Sequence, residues 1–500
     1  MSDCEAETER PDTLARSALA SLRPELYWGG RSVSAATGET FDVSNPSDGK
    51  HLIRVAAAGP EDIDQAVQAA HQQFEQGHWP RMSGAERGWQ LLRLADLIER
   101  DQFKLAALET LDNGKPYSLA LAADVQNLID TFRYFAGWAD KLEGRSVPTA
   151  GAFGRSVHAF TIREPLGVIG AIGAYNAPSM YLGWKAAAAL AVGNTVVFKP
   201  AEEAPLTALH VAGLIQEAGF PPGTFSIMPG LGPVAGTALA RHPLVAKLSF
   251  TGGGAIGKIV AREAAETFKP VTLELGGKAP QIVFADADLD AVIPILAAGL
   301  FANQGQICAA GTRVLVEQSI ADVVARALAD SARAQVVGDP FDPATTMGPL
   351  ATARGRDRVL AYVKAGHDDG ARLLAGGRSL DGDGYWVEPT VFAGDNAMRI
   401  AREEIFGPVG TVIPFACEDE GVAIANDTPF GLNAGIFTRD VSRMHRVARR
   451  LRAGAIWVNG WALIDPRLPW GGIKASGYGR ENGHAGIEDV SYEKVVSILF

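Results

Sequence analysis

The chain has 500 residues, too many for one hydrophobic core, so two or three domains are expected. Its 47% hydrophobic and 21% charged residues are an ordinary globular composition, and a net charge of −11 argues against a nucleic-acid partner. The three cysteines, Cys4, Cys308 and Cys417, form neither a disulfide framework nor a zinc cluster.

The N-terminal stretch MSDCEAETERPDTLARS is acidic and polar, without the apolar segment of a signal peptide. No apolar run reaches the length of a membrane span, so a cytoplasmic protein with no membrane partner is expected. The nine histidines are scattered and none forms a His-x-x-x-His pair, so no metal site is expected.

From Pro60 to Leu142 the pattern is helical: AERGWQLLRLADLIERD sets Leu91, Leu94, Ala95 and Ile98 on one face. GRSVPTAGAFGRSVHAFTIREPLG then alternates Val, Phe and Ile among Gly and Ser, which predicts exposed strands or a hairpin arm. From Leu166 strands and helices alternate. GVIGAIGAYN ends in a polar turn, PSMYLGWKAAAALAVG is a helix closing on Gly193, and NTVVFKP is a strand stopped by Pro200. LTALHVAGLIQEAGF, FSIMPG and LVAKLSFTG continue the rhythm of a mostly parallel sheet with crossover helices. A second such stretch runs from Gly276 to Gly477, and VSYEKVVSILF ends the chain as a strand.

Four sites carry candidate chemistry. LSFTGGGAIGKIV holds Gly252-x-Gly254-x-x-Gly257 between a strand and a helix, which matches a dinucleotide fingerprint, although glycine is common in this chain. VTLELGGKAP places Glu274 at a strand end, either solvated or presented into a cleft. NTVVFKPAEEAP ends a strand with Lys199, Glu202 and Glu203, where an open parallel sheet binds ligands. Cys308 lies in FANQGQICAAGTR and, read alone, is one more small buried hydrophobe.

Their order and spacing resemble the aldehyde dehydrogenase superfamily over residues 25–495. The resemblance is carried by LDNGKP (111–116), GAYN (173–176), GNTVVFKPAE (193–202), FTGGGAIG (250–257), LELGGK (273–278), NQGQIC (303–308), EEIFGPV (403–409), GAIWVN (454–459) and PWGGIKASGYGRENG (469–483). It implies an α/β fold of three parts. These are a Rossmann-like NAD-binding domain (15–142 and 164–276), an α/β catalytic domain (277–478), and a β-strand oligomerisation arm (143–163 and 479–500). The arm implies a homodimer or homotetramer built by strand addition.

By the same resemblance Cys308 is the nucleophile, Asn176 the oxyanion donor and Glu274 the general base for water. Lys185 and Glu481 match a proton path. Lys199 and Glu202 match the adenosine-ribose contacts, and Glu202 implies NAD in preference to NADP. Gly252 and Gly257 match the pyrophosphate side, and Glu404 and Phe406 the nicotinamide side.

Ala177, Tyr181, Trp184, Trp461, Arg467 and Trp470 match the substrate tunnel, with Asn127 and Arg467 as possible polar contacts. Ala177 stands where a bulky aromatic is frequent, which implies a wider tunnel for a medium-sized cyclic or aromatic aldehyde, or for a semialdehyde bound through Arg467. Gly253 and Gly254 replace the hydroxyl residues common after the first glycine. The expected reaction is NAD-dependent oxidation of an aldehyde to the acid. The alternatives are a CoA-acylating semialdehyde dehydrogenase and a catalytically silent homologue.

Overall fold

The computed structural model describes residues 10–500; Cys4 and the acidic stretch before Arg10 lie outside them. Five parallel strands make the centre of the first sheet: Val168–Ile172, Thr195–Lys199, Phe225–Ile227, Val245–Thr251 and Val271–Glu274. Numbered along the chain, their spatial order is 3-2-1-4-5. That order reverses direction between the first and fourth strands, and the crevice at their carboxyl ends is where doubly wound sheets bind dinucleotides.

Every residue of Thr195–Lys199 and of Val168–Ile172 is buried, as expected for strands covered on both faces. One cover is the helical stretch read from the sequence. Gly84–Arg100 begins at a capping box between Ser83 and Glu86 and buries Leu91, Leu94, Ala95 and Ile98 completely.

The second sheet has seven strands, in the spatial order Arg372–Ala375, Thr390–Ala393, Val409–Phe415, Arg313–Glu317, Pro280–Val283, Asn433–Phe437 and Ala455–Val458. Only the first of these runs antiparallel to its neighbour. A third sheet joins Ser146–Val147, Val157–Pro165 and Ser491–Leu499, the last two paired over nine antiparallel positions.

Two features depart from the sequence reading. Residues 479–490, expected with the arm, pack against the first sheet. Gly477–Tyr478 extends that sheet beside Val271–Glu274, and Ile487 and Val490 enter its core beneath the helix Pro178–Val192. From Ser491 onward the chain joins the third sheet, because Ile487 and Val490 have a core to enter while the apolar residues after Ser491 are exposed or, at Val496, half-buried. The strands Leu26–Trp28, Arg31–Val33, Thr40–Ser44 and His51–Ala56 were not anticipated; the first pair edges the first sheet. No helix among the described residues is long and apolar enough to cross a membrane.

Candidate active site

The cysteine segment leaves the helix Leu289–Phe301 through three left-handed residues, Asn303, Gln304 and Gly305, with φ of 48°, 56° and 68°. Non-glycine residues hold such a conformation only when their surroundings impose it. Here the side chains do so. Gln304 Nε2 donates to the carbonyls of Gly114 (2.8 Å) and Pro349 (2.7 Å), and Asn303 Nδ2 to the carbonyl of Asn176 (2.9 Å). LDNGKP and the Asn176 turn therefore both pin the cysteine loop. Gly277 packs against the same loop, and a Cβ there would lie 2.5 Å from the Cys308 carbonyl oxygen.

Cys308 is half-buried among Ala177, Tyr181, Trp184, Leu432, Trp457 and Trp470. Burial pushes its thiol up to about 12, helped by the negative charges of Glu274 and Glu404. The Tyr181 hydroxyl and the Ala309 backbone N–H act in the opposite direction. Asn176 ends the turn after Val168–Ile172, and its Nδ2 donates to Tyr181 Oη at 3.2 Å. The following helix, Pro178–Val192, starts on a proline and ends at the left-handed Gly193. Its periodicity brings Tyr181, Trp184 and Lys185 to one side.

Glu274 ends its strand buried, with Oε1 lacking a hydrogen-bond partner. Burial first, then the charge of Glu481, holds its carboxyl well above the usual range, while Lys185 opposes both. Lys185 Nζ meets Glu481 Oε1 at 2.8 Å and Ser249 Oγ at 3.0 Å, and Ser249 donates to Glu481 at 2.7 Å. This buried trio contains both residues of the expected proton path and adds Ser249, which had no sequence signal beyond lying in the strand before FTGGG.

At the strand ends of the first sheet, Lys199 Nζ lies 2.9 Å from Glu202 Oε2. Burial works to raise the Glu202 carboxyl, but Lys199 and the Gly232 amide outweigh it and hold the group below the usual range. Gly252, Gly253 and Gly254 lead into the helix Gly254–Ala265, and a Cβ at Gly253 or Gly254 would meet nothing within 4 Å. The open helix N-terminus offers its amides to a pyrophosphate, so the residues present fit a dinucleotide. Gly257, expected on the pyrophosphate side, also serves helix packing: a Cβ there would strike Leu275 at 2.6 Å. Glu404 Oε1 accepts from the Gly277 amide at 3.2 Å, and Phe406, at φ 59°, stands edge-on to Tyr175.

The residues expected to line a substrate tunnel form an aromatic cluster. Trp184 lies edge-on to Tyr181 and tilted to Trp470, and Trp470 stacks on Trp457 at 6.0 Å with 18° between planes. Trp457, in GAIWVN, joins this cluster although it was not among the residues expected there. Asn127 accepts from Trp184 Nε1 at 2.7 Å, so its oxygen orients the indole. Trp461 Nε1 donates to the Ala309 carbonyl at 3.1 Å. Arg467 is not gathered into this cluster; it is exposed and its guanidinium pairs with Asp465.

The profile described as the aldehyde dehydrogenase family matches residues 33–496. Human retinal dehydrogenase 2 is 45% identical over 468 residues, covering 93% of this chain and 90% of its own. The NAD+ complex of an aldehyde dehydrogenase from Bacillus cereus superposes with a TM-score of 0.94 at 41% identity, covering 97% of this chain and 98% of that one. Betaine aldehyde dehydrogenase from Staphylococcus aureus, in complex with NAD+, gives 0.95 at 36% identity over 97% of each chain.

Proposed function

Because the chain belongs to the aldehyde dehydrogenase family, an NAD-dependent enzyme that oxidises an aldehyde to its acid, we propose that Cys308 is its nucleophile and Glu274 its hydrolytic base. The reading rests above all on one convergence. Cys308 packs in one aromatic cluster with Tyr181, the hydrogen-bond partner of Asn176, and feels the charge of Glu274 there.

The Cys308 sulfur, as its thiolate, bonds to the aldehyde carbon, and the carbonyl π electrons move to oxygen. The resulting oxyanion is met by Asn176 Nδ2–H and the Cys308 backbone N–H. Bound NAD supplies the hydride acceptor, and the carbonyl re-forms as a thioester on Cys308. Glu274 takes a proton from water, whose oxygen displaces the sulfur to release the acid. Lys185, Ser249 and Glu481 form the buried route by which that proton leaves Glu274.

Glu202, held ionised by Lys199, would sit against the ribose hydroxyls and repel a 2′-phosphate, so NAD is preferred over NADP. The cofactor belongs to the first sheet and the nucleophile loop to the second. The indole walls and Ala177 favour a medium-sized cyclic or aromatic aldehyde. The third sheet is the assembly arm of a homodimer or homotetramer.

The test is NADH formation across short aliphatic, aromatic, heterocyclic and carboxylate-bearing aldehydes, with Cys308→Ala alongside. A preference within the panel that the alanine variant abolishes is expected. Activity surviving in Cys308→Ala refutes the assignment.

A further inference from the structure

Tyr181 stands out within the tunnel. It is only 4% exposed, and a ring of its size could wall the pocket as phenylalanine does. A buried hydroxyl instead needs partners. Its oxygen accepts from Asn176 Nδ2 at 3.2 Å, which leaves the phenolic proton to be given elsewhere. The half-buried group that packs against the same cluster and can receive it is the Cys308 thiol.

We propose that Tyr181 is a positioning residue for the nucleophile, its hydroxyl donating to Cys308 Sγ while accepting from the Asn176 amide. One oxygen thereby sets the direction of both groups. An amide nitrogen carries two hydrogens, so Asn176 keeps one on Tyr181 and turns the other toward the developing oxyanion. The bond also fixes which way round the amide sits, nitrogen toward the site. Burial holds the phenol well above its ordinary pKa, so it stays a donor through the working range, and its contact with Cys308 offsets part of the burial that raises the thiol. A hydrogen bond to a charged acceptor is among the stronger kinds, so the thiolate gains more from it than the thiol.

The inference rests on Cys308 being the nucleophile, and its test separates the two. Iodoacetamide alkylation of Cys308 is followed across pH by peptide-resolved mass spectrometry in wild type and Tyr181→Phe, with steady-state kinetics on both. Tyr181→Phe is expected to move the alkylation midpoint up by about one unit, slowing alkylation about tenfold below it. It should also lower kcat about tenfold while leaving KM for NAD unchanged.

Placing 3,5-difluorotyrosine at position 181, a more acidic donor of nearly the same shape, should move the midpoint down instead. This second variant also covers a failure of Tyr181→Phe to fold. An unmoved midpoint in the variants that fold, with Cys308→Ser inactive, overturns the role of Tyr181 alone. NADH formation surviving in Cys308→Ser overturns the nucleophile assignment beneath it.

Discussion

Glu274 and Lys278 lie four residues apart and are both buried without full hydrogen bonding, yet pH acts on them in opposite senses. A base must be ionised, and the Glu274 carboxyl is held well above its usual range. Hydrolysis is therefore slow below that raised value and quickens as pH climbs through it. The kcat profile is expected to show this rising limb, and Glu274→Gln to abolish it while an acyl adduct on Cys308 accumulates, visible by intact mass. Burial and nearby Arg313 depress Lys278 to about 7. The unfolded chain protonates this amine near 10.5, so the cost of burying its charge is full below pH 7 and falls as pH rises from 7 toward 10.5. Lys278→Met should therefore raise the melting temperature more at pH 6 than at pH 9.

At the scale of elements, the site is two loops and a helix held in register by close contacts. Gly277→Ala would drive a Cβ into the Cys308 carbonyl, an overpacking of about 1–3 kcal/mol. Activity is expected to fall at least about tenfold even where melting shows the fold intact, since the displaced atom adjoins the proposed nucleophile. On the helix Pro178–Val192, Ala177→Phe at its N-cap should cut kcat/KM for cyclic aldehydes about tenfold and spare short aliphatic ones, measured on the same panel.

Local patterns in the sequence were enough to read the Gly193 stop and the buried face of Gly84–Arg100, while Cys308, Glu274 and Asn176 were singled out by the resemblance of their motifs. The sequence did not reveal contacts that only the fold creates. Gln304 reaches Gly114 across 190 residues, and Ser249 reaches Glu481 across 232. Residues 479–490 were grouped with the arm because nothing local in them marks the core that Ile487 and Val490 enter. Leu26–Trp28 and Arg31–Val33 went unread because three residues are too few to display a period.

The described residues form two mostly parallel sheets covered by helices, the two-stranded pair Thr40–Ser44 and His51–Ala56, and a sheet whose outer strand lies largely exposed. Ser491–Leu499 pairs with Val157–Pro165 on one side only and forms the edge of its sheet, with Val495, Ile498, Leu499 and Phe500 exposed. A long edge with apolar side chains is a template for another strand. Removing residues 491–500 should therefore reduce the assembled species seen by size-exclusion chromatography with light scattering. Under the proposed assembly, that same open edge also ties the protein's endurance to its abundance. Strands joined between copies add a mass-action contribution to folding, so the melting temperature should drop on serial dilution, and dilute enzyme should lose activity sooner than concentrated enzyme at one temperature.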